Sequence, residues 1–402
     1  MRGDLFLSFG LAVGLGVSCP QAWANTEPPP AYDARAVGMG SSGVAHVHNG
    51  ASLYHNPAAL HEIGQGAATL VLSPFAPQVG APLGISGPEV KSKRGVFPMF
   101  LVGGAYRVHP RVVVGLAAFP TMGFGAKYGD VAAFGGLKLN AQLAAIELAP
   151  GASFAITDFL SVGVTYRVTY MSFNLEQPAA TSAGTLAQNK TDVSGLGFLG
   201  AQIGVFARAT ETTRLGLTYR SKASVNMKGD TEAGGQTMHT ELEFASPHTF
   251  KFGIAQSLLE RHLLLALDFK LALYKESSKE LALKVDVPGA GTVTQAQPLK
   301  WKNVLGVYAG AEYRFAPDGP AARLGYSMAQ SATPNDYANP VLPPPGLQHA
   351  IHAGAGMTVS SLDIDLGGYY LFGSKKVRPV AGAEGEYSMN GILVALSGTY
   401  RW

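Results

Sequence analysis

Apolar residues recur at every second position in segment after segment of this chain, and this alternation constrains the fold more than any other feature. In the last segment, 391–402, apolar side chains stand at Ile392 and at most alternate positions after it, with mainly small or polar residues between them. Segments 160–170 and 263–273 alternate in the same way. Because successive side chains of a β-strand point to opposite faces, the pattern predicts a long series of strands, each with one apolar face.

The links between the predicted strands alternate in length. We predict about 14 strands, at 66–75, 95–108, 111–120, 141–156, 159–173, 192–208, 213–228, 239–256, 262–275, 300–315, 321–330, 348–359, 362–374 and 387–402. Short links such as His109-Pro110 alternate with long links such as 276–299. Short periplasmic turns, long external loops and strands of this length are typical of outer-membrane barrels. The sequence therefore predicts an all-β, transmembrane antiparallel β-barrel over 66–402, with both ends in the periplasm.

The composition and the N-terminus agree with export. Charged residues make up 14% of the chain, where about 25% is typical of soluble domains, and a net charge of +3 gives no reason to expect nucleic acid. An apolar run, 5–17, lies between Arg2 and Ala22-Trp23-Ala24, which predicts a signal peptide over 1–24. The only cysteine, Cys19, falls inside it, so we expect no disulfide in the mature chain. A lipid anchor on Cys19 is disfavoured because the usual upstream Leu is missing.

No other segment has enough uncharged apolar residues for a spanning helix, which leaves a soluble secreted β protein or an outer-membrane barrel. A sheet in lipid must close, because each unpaired backbone group there costs several kcal/mol. A barrel of about 14 strands has a lumen too wide for its own side chains to fill. The glycine-rich segment 25–65 precedes the first strand and is therefore predicted to be a hatch, or plug, inside the lumen.

Asn56-Pro57-Ala58 closes this segment. Asn is a good N-cap and Pro suits the first helical position, so a short helix over 57–63 is expected, with Gly64 as its stop. Local capping alone accounts for these residues. The functional alternative is that Asn56, Pro57 and Ala58 anchor a hatch that shifts to open a path.

Several segments resemble one known family. They are Ala34 to Gly40, Gly43 to Ala45, Ala51 to Leu60, Phe119-Pro120 with 123–128, Arg214 to Ser221, and Trp301 to Val304 with Gly310 to Arg314. In order and spacing they are similar to the outer-membrane transporters of long-chain fatty acids and hydrocarbons (FadL/TodX type), across essentially the whole mature chain. The chain departs from that family in ending on Trp402, where Phe is commoner, and in its long loops.

The resemblance implies a 14-stranded barrel with a lumenal hatch, in the outer membrane of a Gram-negative bacterium. It also implies capture of hydrophobic compounds by external loops and lateral release at a kinked third strand. The kink would fall at Phe119 and Pro120, since Pro120 cannot donate a ladder hydrogen bond. The alternative is that Pro120 merely ends the strand.

Ligand contacts are expected from two groups of residues. By alternation Arg167, Lys302 and Arg314 point into the lumen, together with Arg214 and Arg220, and a guanidinium or ammonium group suits a fatty acid carboxylate. Pairing of these cations with carboxylates such as Glu312 or Asp365 is the alternative. An apolar patch that first receives the ligand is expected from loop residues, namely Val79, Leu83, Ile85, Met122 and Phe124.

Other functions find little support in the sequence. The glycines at 195, 197 and 200 have dinucleotide-turn spacing but lie within a predicted strand, and His349 and His352 would point to opposite strand faces, so no cofactor or metal is expected. We predict no enzyme, although a barrel lipase would need only one Ser and one His on the same face. Expected partners are hydrophobic small molecules, membrane lipid and the barrel assembly machinery, with a monomeric state. A non-transporting scaffold for secretion or surface assembly is the alternative function.

Overall fold

The computed structural model describes residues 29–83, 87–180, 185–316, 319–380 and 382–402. The predicted signal peptide 1–24, the first residues of the predicted hatch and Ile85 lie outside the described residues, as does the side chain of Met122. No helix within the described ranges is long and apolar enough to cross a membrane.

The chain forms one antiparallel sheet of 19 strands that closes on itself. The strands are β1 Gly66–Pro82, β2 Glu89–Lys91, β3 Phe97–His109, β4 Val112–Val131, β5 Leu137–Ala155, β6 Leu160–Ala180, β7 Leu186–Arg208, β8 Thr213–Arg220, β9 Ser224–Ala233, β10 Gln236–Ala245, β11 His248–Leu258, β12 Leu263–Leu273, β13 Glu280–Val287, β14 Gly291–Pro298, β15 Val304–Arg314, β16 Ala321–Gln330, β17 Leu347–Val359, β18 Leu362–Val377 and β19 Gly385–Arg401. Fourteen of them form the barrel wall, which the pairing of β19 with β1 closes. The predicted fold class is therefore confirmed.

The remaining strands extend the sheet on the side of the long loops. The upper part of β7 pairs with β9, and β10, β13 and β14 follow in order, while β2 adds to β1. The sequence pattern missed most of this extension. In β14, for example, nearly every residue is exposed, so no apolar face marks the strand.

The outer surface of the wall is apolar. On β19, Ile392, Val394 and Leu396 are about half exposed, whereas Leu393 and Ala395, on the opposite face, are buried. At the end of the short turns, the rings of Tyr400 and Trp402 stack with centroids 5.8 Å apart. An outward apolar band bordered by aromatic rings is the surface that lipid and its interface require of a barrel.

The N-terminal segment, residues 29–65, contains three short helical pieces. These are α1 Ala34–Gly38, α2 Ser52–His55 and a 3-10 helix Pro57–Glu62. Most of its residues are buried, and its pieces contact strands on several sides of the wall. Its backbone is held by wall side chains, because Ser153 and Ser161 both donate to the carbonyl of Ala58 at 2.9 Å, and the amide of Gln202 donates to the carbonyl of Tyr54 at 2.9 Å.

Inward-facing glycines let this segment approach the wall closely. Gly163 of β6 lies directly opposite Gly204 of β7, and Gly310 of β15 lies opposite Gly325 of β16. A Cβ atom on any of the four would overlap the N-terminal segment. The contact therefore involves the backbones of both partners, which leaves no space for a side chain between them.

Candidate functional site

Strand β4, which corresponds to the predicted third strand 111–120, stops pairing with β3 about a third of the way along β4. The two strands pair up to Val102 opposite Ala118, and above that rung the described residues of β4 pair with β5 alone. A register shift between Pro120 and Met122 marks the departure. Because β4 continues to Val131, Pro120 does not end the strand, and the alternative of a simple strand end is wrong.

The departure leaves a gap in the hydrogen-bond ladder of the wall between β3 and β4, which we call the window. Its lower edge is the Val102 to Ala118 rung, and its upper edge is a hydrogen bond of 2.7 Å from the amide of Lys93 to the carbonyl of Lys127. Next to the window, Phe119 and Pro120 are buried, and so are all four residues of 123–126. Burial without alternation indicates that this part of β4 is covered on both faces instead of facing lipid with one of them.

Aromatic side chains join the N-terminal segment to the strand at the window. Tyr32 and Tyr54 have ring centroids 4.2 Å apart, and each lies 5.5 Å from the ring of Phe119. The ammonium group of Lys251 lies 4.4 Å above the ring of Tyr54 and donates to its hydroxyl at 3.3 Å. Tyr54 of the N-terminal segment is therefore in direct ring contact with Phe119 of β4.

Arg167 faces inward, as predicted, but its guanidinium already forms a salt bridge with a carboxylate of the protein. Its guanidinium donates to Oε2 and Oε1 of Glu147 at 3.0 and 2.6 Å, and Arg220 also donates to Oε2 at 2.5 Å. The hydroxyl of Thr121, at the register shift of β4, also donates to Glu147 at 3.3 Å. Glu147 and Arg167 are almost completely buried, so this cluster is a paired structural charge group beside the window.

An apolar cavity of about 480 Å³ lies at the outer end of the lumen. Its apolar walls come from β4 to β6, from β13 and from the loop before β17, with Phe124, Leu139, Phe173, Leu175, Leu281, Leu283, Val341 and Leu342 as the larger side chains. The polar side chains at its edge are those of Gln177, Gln295, Gln297 and Asn339. Size and lining are those of a site for a small hydrophobic ligand.

Phe124 is the predicted capture residue that lines this cavity. Val79 and Leu83 are buried in a neighbouring apolar cluster instead. Beneath the cavity, Phe124 packs against Trp301 with centroids 6.0 Å apart, and Trp301 packs against Tyr274 at 5.4 Å. Phe124 therefore connects the cavity lining to an aromatic cluster that contains Trp301 and Tyr274.

Lys302 does not take the place that alternation predicted, whereas Arg314 faces inward as predicted and lines a pocket with Arg35 of the N-terminal segment. Lys302 is exposed and lines a groove of about 680 Å³ together with His349 and Phe372, which belong to the outer face of the wall. The register breaks there because β15 begins only at Val304, and the stretch before it is not a strand. Arg314 lies next to the short turn, where it pairs with Glu312 at 3.6 Å.

The inner half of the lumen holds a cluster of paired charges centred on Glu312. Arg35 of the N-terminal segment donates to Glu312 at 2.8 and 2.7 Å, and Arg323 donates to the same carboxylate at 2.6 Å and pairs with Asp365 at 2.7 Å. The predicted alternative, pairing with Glu312 or Asp365, thus applies to Arg314. Burial lowers the pKa of His55 in the N-terminal segment to about 3, with a further contribution from Lys251, so this imidazole is neutral.

Asn56 is the best-anchored residue of the predicted hatch motif. Its side chain accepts from the amide of Ala58 at 3.1 Å, which is the predicted N-cap, and donates to the carbonyls of Val44 at 3.1 Å and Val205 at 3.0 Å. Pro57 takes the first position of the 3-10 helix. Asn56 therefore joins two parts of the N-terminal segment to wall strand β7.

The two histidines of β17, His349 and His352, lie on opposite faces of the strand. No cluster of three metal-ligating side chains occurs among the described residues. His352 faces inward and bonds Ser327 at 2.8 Å and the carbonyl of Val37 at 2.8 Å, whereas His349 bonds Tyr326 on the outer face. Ser327 and His352 are both about 1% exposed beneath the N-terminal segment, so this pair is structural.

Sequence reasoning missed Glu147 and the cavity residues of β13 and the loop before β17. Glu147 could have been predicted to face the lumen, because in segment 141–156 it alternates in step with the inward-facing residues. The loop residues had none, because only the tertiary fold brings Val341 and Leu342 to Phe124.

A closed barrel with an apolar outer cavity, a filled inner lumen and a window in its wall has the architecture of a membrane channel. A family model described as outer membrane protein transport protein (OMPP1/FadL/TodX) matches residues 16–402. The chain belongs to this family of outer-membrane transport channels for hydrophobic compounds, which confirms the predicted resemblance and the predicted outer-membrane location. Its family is one of transporters, not of enzymes.

Solved structures share the fold at low sequence identity. A FadL homologue of Pseudomonas aeruginosa superposes with a TM-score of 0.80 at 17% identity, over 94% of this chain and 100% of that one. The toluene transporter TodX of Pseudomonas putida gives 0.74 at 17% identity, over 93% and 99%. The toluene transporter TbuX of Ralstonia pickettii gives 0.73 at 16% identity, over 93% and 99%. No curated protein sequence matches the chain.

Proposed function

We propose that this chain is a passive channel in which the outer cavity captures a hydrophobic compound and the window between β3 and β4 releases it sideways into the membrane. Residues 25–65 serve as the hatch that closes the direct route to the periplasm. The observation that carries this proposal is the departure of β4 from β3 above Ala118, beside buried Phe119 and Pro120. Unpaired backbone groups are costly in lipid, so a barrel wall is expected to lack these ladder hydrogen bonds only where other parts of the protein cover the strand edges.

Thermodynamics favours such a route without an energy source. Transfer of a ligand from water into the membrane is favourable by about 0.8 kcal/mol for each methylene group. The obstacle is the polar outer surface, so a protein need only provide an apolar path across it. The cavity supplies the first part of that path, and the window supplies the exit.

The direct route through the lumen is closed by close packing. The N-terminal segment lies against glycines of β6, β7, β15 and β16 and is tied to the wall through Ser153, Ser161 and Gln202. Below the cavity, an apolar ligand would also have to displace the paired charges around Glu147 and Glu312. Burial of such groups against an apolar partner is unfavourable, which directs the ligand toward the window.

The cargo class follows from the cavity and from the relatives. Two similar structures are described as toluene transporters and one as a FadL homologue. Together with the apolar lining, this supports hydrocarbons or long-chain lipophilic compounds as the cargo of this chain. Tyr54 and Phe119 are the contact through which hatch and window would move together.

Lateral release is tested by joining the two edges of the window. Leu101→Cys and Phe119→Cys are combined in cells without another hydrophobic-compound transporter, and a short reducible bis-thiosulfonate reagent links the two cysteines. Uptake of labelled toluene should fall at least about tenfold in the linked protein and recover on reduction, because the exit is then closed.

Val102→Cys with Ala118→Cys is the matched control, one rung lower, where the strands are already paired. Linking this pair should leave uptake unchanged. Full uptake through a protein linked at 101 and 119 would contradict lateral release. Absence of uptake by the unmodified protein, together with a co-purifying secretion component, would instead favour the scaffold alternative.

A further inference from the structure

The lining of the outer cavity contains no ionisable side chain in the described part of the chain. Its polar side chains are three glutamines and one asparagine, namely Gln177, Gln295, Gln297 and Asn339. Among the described lining residues, a ligand in this cavity therefore meets amide and apolar side chains.

From this we infer that the capture site selects uncharged compounds and rejects the ionised carboxylate of a fatty acid. The inference rests on the proposed function, because it assumes that the outer cavity is where cargo is captured. A carboxylate that leaves water for an apolar site without a cation is strongly disfavoured, whereas a neutral hydroxyl or ester can use the amide groups. Apolar side chains such as Phe173 and Leu283 hold the hydrocarbon part of either ligand equally well.

Two cations beside the window, Arg167 and Arg220, do not offset this cost. Arg167 and Arg220 converge on the carboxylate of Glu147, so the protein itself provides the anion that a fatty acid would otherwise provide. A ligand carboxylate would have to compete with an internal one that is already held at 2.6 and 2.5 Å. The discrimination between neutral and ionised cargo is thus made in the outer cavity, before the ligand reaches the arginines.

Binding is measured with decan-1-ol and decanoate, which share the same chain length and differ in charge. The protein is placed in lipid nanodiscs in a Trp402→Phe background, so that Trp301 is the only tryptophan after the predicted signal peptide. Trp301 packs against Phe124 of the cavity, and its fluorescence therefore reports occupancy. At about pH 8 decan-1-ol should bind about 100-fold more tightly than decanoate.

Acidification provides an internal control on the ligand itself. At about pH 4 a large part of the decanoic acid is protonated, and its affinity should approach that of the alcohol, whose own binding changes little. Gln297→Lys places a cation in the cavity and should raise the affinity for decanoate at about pH 8 roughly tenfold, without a comparable gain for the alcohol. Gln330→Lys, on the exposed outer groove, is the matched control and should change neither.

The possible results separate this inference from the proposed function. Equal affinity for decanoate and decan-1-ol at about pH 8 would overturn the selection of neutral cargo and leave the channel proposal intact. Decanoate binding that Gln297→Lys fails to raise would also contradict it. If neither compound alters Trp301 and the linked window does not reduce uptake, the cavity is not a capture site and the proposed function itself is wrong.

Discussion

The two halves of this lumen are built from opposite chemistry. The outer half is lined by apolar and aromatic side chains such as Phe124 and Trp301 around an open cavity. The inner half is filled by the N-terminal segment, whose backbone and charges are satisfied by Asp268, Glu312 and other wall residues. The difference shows that one barrel wall can form an apolar binding cavity at one end and pack closely against a polar segment at the other.

Glu147 lies where the two halves meet, and its loss should have the largest effect. Glu147→Gln leaves Arg167 and Arg220 buried without their carboxylate, so the free energy of unfolding should fall by about 3–5 kcal/mol. Urea unfolding of the protein in lipid vesicles measures this change in the free energy of unfolding. Glu241→Gln, whose partner Lys228 is exposed, is the control and should be indistinguishable from wild type. A Glu147→Gln protein of normal stability would mean that the boundary is not an ion-pair cluster.

The close packing of the inner half predicts a smaller but clear loss at the glycine contact. Gly163→Val places a side chain against the backbone of Pro57 and Ala58 and should cost up to about 3 kcal/mol by overpacking. Gly398→Val is the control, because the nearest atom to its Cβ would be 4.0 Å away. The proportion of heat-modifiable barrel on a gel and the urea midpoint measure the effect. Equal tolerance at both positions would contradict a closely packed hatch.

The smallest effect on stability is expected at the hatch motif. Asn56→Ala with Pro57→Ala removes the bonds to Val44 and Val205 and should destabilise the protein by about 1–2 kcal/mol while the barrel still assembles. Uptake of labelled toluene should change, because the hatch loses its tie to β7. Failure of the barrel to assemble would show that Asn56 serves structure alone.

Most of the wall could be predicted from the sequence because alternation is a local property. Each of the fourteen predicted segments overlaps a wall strand, since a strand between lipid and lumen needs one apolar face. Predictions that depended on parity succeeded within regular strands, as for Arg167, and were wrong where the strand had not yet begun, as for Lys302. Of the strands outside the wall, β14 lacks this pattern, whereas β13 shows it and was nevertheless assigned to a long link.

The sequence by itself determined the barrel, the strand number and the family resemblance, because these depend on composition and on residues close to one another in the chain. Tertiary structure decided the pairing of Arg167 with Glu147, the window above Ala118 and the apolar cavity at Phe124. The window depends on which ladder bonds are absent, and the cavity joins segments that lie far apart in sequence. Glu147 and Arg167 lie on the consecutive strands β5 and β6, and their pairing depends on the register between these strands, which alternation alone does not give.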